Sequence, residues 1–296
     1  MTHRFPIGCL LVAAVVAVSS PAAAQGPRMT AERLAELAKK ATPHLADGKS
    51  DLNGTWDHLG GIEFVRPQNL NNGSVCVVGC PPAAAAGAGG AGARAGGAGA
   101  RAGGPPAAPP APNFPKYKQE FLAKVKDLSE RQVEVDTALQ CQPPGVPRIG
   151  PPAKIVQTAR EVLFLYDDVN GSFFRIIPTD GRTHRKDLPA SYLGDAIGRY
   201  EGDALVVESV NFNEETWLSD NGAFHTKDLK VIERLRRVGD TVQYEATAYD
   251  PAVLVEPWKE RTQTLWLTDR EIEESPRCED RDLDLIKDGS HHDNPR

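Results

Sequence analysis

The chain has 296 residues, of which 25% are charged and 40% hydrophobic. A chain of this size and composition can bury a substantial core, which excludes a wholly disordered protein and a mini-protein and leaves one large domain or two small ones. The formal net charge is −6, so we expect no nucleic-acid partner, because nucleic-acid-binding domains are basic.

Residues 1–24 have the pattern of a secretory signal peptide. His3 and Arg4 precede an apolar run over residues 7–18, and three alanines at 22–24 supply an A-x-A cleavage site. The run is shorter than the roughly 20 residues that cross a bilayer, and no later segment is long and apolar enough to do so. We therefore expect a periplasmic or secreted protein without a membrane span.

Four cysteines follow this signal, namely Cys76, Cys80, Cys141 and Cys278. An even number of cysteines in an exported chain favours disulfides over free thiols. Three pairings are possible, and one of them closes a local loop between Cys76 and Cys80 and joins Cys141 to Cys278. Neither of these two pairs has a His or Cys neighbour at zinc-ligand spacing, so we predict no metal site.

The composition also divides the chain into segments. Residues 81–112 contain 14 Ala, 9 Gly, 7 Pro and 2 Arg, a mixture that neither holds a helix nor buries a core, so we predict a disordered insertion. The insertion separates an N-terminal helix and first-strand region at 25–80 from a main β-rich domain at 113–278. A polar tail occupies residues 279–296.

Helical patterns occur on both sides of the insertion. Thr30 can cap a helix whose apolar stripe begins at Leu34, and residues 116–134 carry apolar side chains at helical spacing. Between them, residues 51–56 combine a turn with an aromatic end, as a first strand would.

From residue 155 onward the period changes from 3.6 to 2, which is typical of strands. Turn residues separate strand-like runs at 155–166, 172–178, 197–200, 204–212, 229–238, 241–250 and 259–268. The turns at 201–203 and 239–240 have hairpin chemistry. With a strand near Trp56, about eight strands follow one another mostly in hairpin order, which predicts a mainly β fold: an antiparallel meander forming a barrel or half-barrel with peripheral helices.

Three charged residues alternate with apolar residues in these strands. Glu233, Glu208 and Arg175 are therefore expected to point into the interior or toward a partner layer. Because an unpaired buried carboxylate costs several kcal/mol, each needs a partner. One interpretation is an internal Arg–Glu pair that orders the barrel, and the other is a polar anchor or acid–base carboxylate at the floor of an apolar pocket.

Two histidines lie in predicted loops beside these strands. His184 and His225, together with Glu233, are the candidate catalytic residues, since a loop histidine near a pocket carboxylate can transfer a proton. Each histidine is also compatible with a hydrogen-bonding or surface role. No nucleophile elbow, phosphate-binding glycine loop, metalloprotease helix or dinucleotide fingerprint occurs, so we predict no cofactor.

The candidate ligand-binding residues are Arg175, Glu208, Trp217 and Trp258. The two tryptophans lie in or beside predicted strands, where core packing is one role and contact with a planar or apolar ligand at a barrel mouth is the other.

Several sequence blocks occur in the order found in a family of exported bacterial proteins. These blocks are residues 141–148, 180–184, 198–208, 233–234, 250–251 and 257–258. The block GRYEGDALVVE resembles the family signature G-R-W-E-G-D-T-L-V-V-D, with Tyr200, Ala204 and Glu208 as departures that abolish no charge. The family has no established activity to carry over. Separately, Gly54-Thr55-Trp56 is similar to the G-x-W of the first lipocalin strand, which implies a calycin-like barrel.

Three functions are compatible with the sequence. The first is an exported β-barrel module that binds a small, largely apolar molecule, with Arg175, Glu208 or Glu233 fixing its polar end. The second is a cofactor-independent lyase, isomerase or hydrolase that uses His184 or His225 with Glu233 as acid and base. The third is a structural or envelope-interaction protein. The lack of a nucleophile constellation favours the first.

Overall fold

The computed structural model describes residues 29–58, 68–69, 75–76, 113–168 and 170–274. The predicted signal peptide, the insertion at 81–112 and the polar tail at 279–296 lie outside the described residues. The boundaries predicted for these segments therefore stay predictions.

Short helices flank the sheet. The α-helices are α1 (Ala31–Ala38), α2 (Leu122–Glu130) and α3 (Gln132–Val135), and single 3₁₀ turns cover Gln119–Phe121 and Thr137–Gln140. Thr30 caps α1 as predicted, because its hydroxyl accepts a 3.2 Å hydrogen bond from the Arg33 amide. Within the described ranges, no helix is both long and apolar enough to cross a membrane.

The described strands are numbered in chain order. They are β1 (Gly54–His58), β2 (Gln68–Asn69), β3 (Val75–Cys76), β4 (Lys154–Gln157), β5 (Glu161–Asp168), β6 (Gly171–Pro178), β7 (Asp195–Glu201), β8 (Ala204–Val210), β9 (Lys230–Val238), β10 (Thr241–Tyr249), β11 (Trp258–Lys259) and β12 (Gln263–Thr268). Strands β2 and β3 pair only with each other.

Nine strands form one antiparallel sheet that curls into a nearly closed barrel. Their order is β6-β5-β4-β1-β12-β10-β9-β8-β7, with β11 added beside β10, and the two end strands β6 and β7 approach each other. The predicted mainly β barrel with peripheral helices is confirmed. Strand β1 pairs with both β4 and β12, so residues 54–58 belong to the same sheet as the strands of the main domain.

The two predicted hairpins are confirmed. Strands β7 and β8 pair up to Glu201 opposite Ala204, and β9 and β10 pair up to Val238 opposite Thr241. Gly239 supplies the positive φ of 60° that the second turn needs, and a Cβ atom there would lie only 2.4 Å from the carbonyl oxygen of Leu37. That turn therefore accepts only glycine without rearrangement.

The prediction of a single strand over residues 155–166 is wrong. The chain turns at residues 158–160, and β4 and β5 form an antiparallel pair instead. The hydroxyl of Thr158 accepts hydrogen bonds from the amides of Arg160 and Glu161. This local bonding competes with extension of the strand, and an apolar-alternation pattern does not reveal it.

Two hydrophobic cores lie along the barrel. The barrel core fills the interior and contains the fully buried side chains of Trp56, Phe164 and Tyr244. The capping core lies under α2 and the segments at 211–229 and 250–258, where it includes Phe212 and Phe224. The polar residues that carry the functional argument lie in the first core and at its edge.

Candidate functional site

A buried ion pair crosses the barrel interior. In β9 the residues Val231, Glu233 and Leu235 are all buried and alternate with more exposed neighbours, so the predicted inward face of β9 is confirmed. Glu233 accepts two hydrogen bonds from the Arg175 guanidinium, at 3.0 Å on Oε1 and 2.6 Å on Oε2. The exposed fraction is 3% for the Arg175 side chain and 0% for that of Glu233. The predicted partnership between an inward Arg and an inward Glu therefore exists.

Three hydroxyl groups complete this interior cluster. The Tyr244 hydroxyl donates to Glu233 Oε1 at 3.0 Å, while Tyr166 and Ser209 accept from Arg175 at 3.0 and 2.6 Å. Burial raises the pKa of both tyrosines above the ordinary value, so they act as neutral hydrogen-bonding groups. We call Arg175, Glu233, Tyr166, Tyr244 and Ser209 the interior cluster.

Arg175 also spans a junction of the barrel at which the described residues form no strand ladder. Among the described residues no β-ladder joins β6 to β7, and we call this junction the seam. At one point the strands are close, since a Cβ atom on Gly198 would lie 3.0 Å from Ile177 Cγ2. The Arg175 side chain extends from β6 past β7 and donates a hydrogen bond to Ser209 on β8. Ser209 lies opposite Ala196 of β7. Its side-chain hydrogen bonds therefore hold the barrel together where backbone bonds do not.

A cleft of about 530 Å³ lies along the seam. Its apolar wall includes two outward-facing side chains of β6, Phe174 and Ile176, which are 61% and 50% exposed. Arg175 lies at the floor of this seam cleft, and Arg182 and Arg185 lie at its rim. Asp195 and Glu161 also line the cleft, so its lining contains three cationic and two acidic side chains.

The guanidinium of Arg175 has one donor that makes no hydrogen bond in the described part of the chain. Both terminal nitrogens of Arg175 donate within the interior cluster, whereas its Nε atom is buried without a hydrogen-bond partner among the described residues. Burying a donor that makes no hydrogen bond is costly. The rim differs, because Arg182 pairs with Asp180 and Arg185 pairs with Asp195, both at 2.6 Å.

Glu208 does not share the interior with Arg175 and Glu233, so of the two directions predicted for its side chain, the interior and a partner layer, the interior is wrong. Its strand partners are Ile197 and Ile232, which belong to the outer face, whereas Val207 pairs with Glu233. All residues from Ala204 to Val207 are buried, so burial on both faces removes the alternation that would have shown the direction.

His184 lies outside the barrel, between two carboxylates. Its Nδ1 atom is 3.1 Å from Asp195 Oδ2 and its Nε2 atom is 3.4 Å from Glu208 Oε1. Burial opposes ionisation of Asp195, but hydrogen bonds from Arg185 and His184 outweigh it and hold the pKa of Asp195 below its usual value. The structure therefore brings His184 and Glu208 together beside the seam cleft, apart from Glu233. A catalytic role for His184 stays a prediction.

His225 lies in the capping core and is 2% exposed. Its Nε2 atom is 2.8 Å from the Thr216 hydroxyl and its Nδ1 atom is 2.9 Å from the Thr226 carbonyl oxygen. Burial lowers the pKa of this imidazole. Both ring nitrogens therefore have protein partners, and no contact joins them to Glu233 among the described residues.

Replacing His225 with Phe should destabilise the fold. The ring can still pack on Phe212, but the Thr216 hydroxyl keeps only its 3.4 Å bond to the Asn213 carbonyl oxygen, and the Thr226 carbonyl oxygen loses its imidazole partner. We therefore expect the free energy of unfolding to fall by about 1 to 3 kcal/mol. Chemical denaturation of both proteins measures this change. Unaltered stability would contradict the structural role and restore His225 as a candidate catalytic residue.

The two candidate tryptophans are buried in the capping core. Trp217 and Trp258 are 3% and 7% exposed, and the Trp258 Nε1 atom has no hydrogen-bond partner among the described residues. The structure places both tryptophans among apolar side chains and puts neither in the seam cleft. Their ligand-binding role stays a prediction.

Glu260 is an interior acid that the sequence analysis missed. Trp258 lies opposite Ala248, and the Glu260 amide donates to the Ala246 carbonyl oxygen at 2.9 Å, so Glu260 continues the inward face of β11. The residue is partly exposed, but its Oε2 atom is buried without a partner among the described residues. Burial and the nearby charge of Glu233 raise the pKa of Glu260 to about 8, although a hydrogen bond from Gln263 opposes the shift.

The structure tests neither the disulfides nor the cofactor prediction. Cys80 and Cys278 lie outside the described residues, and only the backbone of Cys76 is described, so the pairing stays a prediction. In the part of the chain that is described, no three His, Cys, Asp or Glu side chains are grouped as metal ligands would be.

Comparison of the chain with protein families, with curated proteins and with solved structures finds no match. The resemblances to the exported bacterial family and to the lipocalins therefore stay predictions.

Proposed function

We propose that this protein is an exported β-barrel module that binds a small amphipathic anion in the seam cleft. The observation that carries the proposal is the combination of two exposed apolar side chains, Phe174 and Ile176, with a buried Arg175 whose Nε atom is unpartnered. Ligand sites are typically apolar concavities with a few placed polar groups. This arrangement supports a ligand with an apolar body and an anionic end.

The apolar surface available to such a ligand extends beyond β6. On the outer face of the sheet, Leu165 of β5 pairs with Phe174 and Leu163 pairs with Ile176. Exposed apolar surface of this kind is more informative than isolated apolar residues, because contiguous patches mark binding sites. We therefore propose that the body of the ligand lies on Phe174 and Ile176 and that its anionic group points toward Arg175.

Interior binding is less well supported than binding at the seam. The barrel core contains large buried side chains together with the interior cluster, and these side chains occupy the interior that a ligand inside the barrel would need. The sequence hypothesis of a polar anchor at Arg175 is kept, but the ligand approaches it from outside the barrel.

The fluorescent probe 1-anilinonaphthalene-8-sulfonate has the required apolar body and anionic group. We expect it to bind the folded protein and the variant Phe174→Ser to bind it about tenfold more weakly, since part of an aromatic contact is lost. The variant Arg182→Gln should also weaken binding by removing a rim cation. Fluorescence titration, with near-ultraviolet circular dichroism to check folding, measures both effects.

Two matched variants control for surface changes in general. Val255 is 63% exposed and Arg131 pairs with Asp127 on α2, and neither residue lines the seam cleft. Val255→Ser and Arg131→Gln should leave probe binding unchanged. The proposal fails if the folded protein does not bind the probe, or if these controls weaken binding as much as the cleft variants do.

A further inference from the structure

The barrel interior contains two inward carboxyl groups, and among the described residues only the guanidinium of Arg175 bonds to one of them. Another buried guanidinium, that of Arg237 in β9, donates to the carbonyl oxygens of Gly239 and Asp51. Glu233 and Glu260 lie on opposite sides of Ala246, since Glu233 pairs with Ala246 across β9 and β10 and the Glu260 amide bonds to the Ala246 carbonyl. The alanine methyl group leaves space between the two acids. Of the two acids, Arg175 bonds only to Glu233, so Glu260 has no cation of its own among the described residues.

The surroundings of Glu260 favour its neutral form. Gln263 of β12 donates to Oε1 at 3.3 Å, whereas Oε2 is buried and unpartnered in the described part of the chain. The groups that face it are Glu233 of β9 and Tyr244 of β10, with Arg175 and Tyr166 behind Glu233 and His58 at an inward position of β1. Ionising Glu260 would place a second negative charge beside Glu233 without a compensating contact.

From this geometry we infer that Glu260 is a proton-binding residue that regulates the seam cleft, so that protonated Glu260 permits an anionic ligand at Arg175 and ionised Glu260 opposes it. The inference rests on the proposed function. With Glu260 neutral, the charges of Arg175 and Glu233 balance. With Glu260 ionised, the three side chains Arg175, Glu233 and Glu260 together carry a net negative charge.

The same groups determine whether anion affinity rises or falls with pH, and over which pH range it changes. Since the pKa of Glu260 is raised to about 8, its ionised fraction grows between neutral and alkaline pH. The Arg175–Glu233 pair separates Glu260 from the anion, so the repulsion acts over a distance and not through a contact. A unit charge about 15 Å away in a protein changes anion affinity by roughly fivefold. Anion affinity should therefore fall as the pH rises.

The test is a fluorescence titration with 1-anilinonaphthalene-8-sulfonate from pH 7 to pH 9.5. For the unmodified protein we expect affinity to fall by roughly fivefold, while Glu260→Gln, which keeps every other facing group, should bind the probe equally at all pH values. Glu256 is an exposed glutamate of the same segment, paired with Lys116, and Glu256→Gln should behave like the unmodified protein. The uncharged probe N-phenyl-1-naphthylamine should show no dependence on pH in any of them.

A second measurement uses the reciprocity of coupled binding. Because the anion favours protonated Glu260, its binding at pH 8 should take up a fraction of a proton, which calorimetry in two buffers of different ionisation enthalpy detects. Glu260→Gln should show no uptake. Probe binding that is independent of pH, or a dependence that survives in Glu260→Gln, overturns the regulatory inference alone. Absence of probe binding at every pH overturns the proposed function and the inference with it.

Discussion

Replacing Glu233 with Gln is expected to lower the free energy of unfolding by about 3 to 5 kcal/mol, because the buried guanidinium of Arg175 loses its counter-charge. Both side chains are almost wholly inaccessible to solvent, so water does not replace the lost interaction. Equilibrium denaturation in urea measures the change. Hydrogen exchange should also become faster in β6 and β7, since Arg175 holds the seam where no ladder joins these strands.

The reciprocal variant and a double-mutant cycle test whether the two residues act as a pair. Arg175→Met should destabilise the fold strongly as well, and the double variant should lose less than the sum of the single losses. A surface pair serves as the control: Glu201 and Arg234 are in contact at 2.7 Å but are both exposed, so Glu201→Gln should alter stability little. Additive and small losses in the cycle would contradict the role of Arg175 and Glu233 as a structural pair.

The second large effect is a dependence of stability on pH that arises from Glu260. Its pKa is raised to about 8 in the folded protein, against about 4.3 for a glutamate in an unfolded chain. The folded state therefore holds a proton that the unfolded state releases, and stability falls as pH rises between these two values. The contribution of Glu260 to the free energy of unfolding is full below the pKa of the unfolded state and is lost once the pH has passed the pKa of the folded state. The total loss of stability is about 3 to 5 kcal/mol.

Glu260→Gln isolates this contribution. The amide cannot ionise, so the difference in unfolding free energy between the variant and the unmodified protein should grow in favour of the variant from pH 5 to pH 9. Denaturation curves at several pH values measure this difference, and Glu256→Gln, which changes an exposed glutamate, should follow the unmodified protein. A difference that stays constant over the whole range would show that Glu260 is not held neutral by the fold.

The two predictions address different parts of one interior. The Arg175–Glu233 pair makes the seam stable, and Glu260 adds a titratable acid beside that pair. If the first prediction holds and the second fails, the barrel keeps its internal support while the proton-linked regulation is lost. If only the second holds, the seam must be stabilised by contacts other than Arg175.

The sequence alone was sufficient for the local elements. The hairpins at 201–204 and 238–241 follow from glycines that adopt positive φ, and the cap of α1 follows from the Thr30 hydroxyl. In β9 the alternation of Val231, Glu233 and Leu235 identified the inward face, because the other face of this strand is more exposed. These features depend on neighbours in the chain, which is why a linear pattern predicts them.

Only the tertiary structure decided which distant residues meet. Glu208 lies in a strand that is buried on both faces, so its alternation pattern is ambiguous, and Glu260 lies between polar neighbours that give no sign of an inward position. The seam results from the order of nine strands around the barrel, in which the end strands β6 and β7 approach without a ladder. Closure of a sheet depends on long-range pairing and strand twist, which no local run of residues encodes, so the cleft and the unpartnered donor of Arg175 appear only in the folded chain.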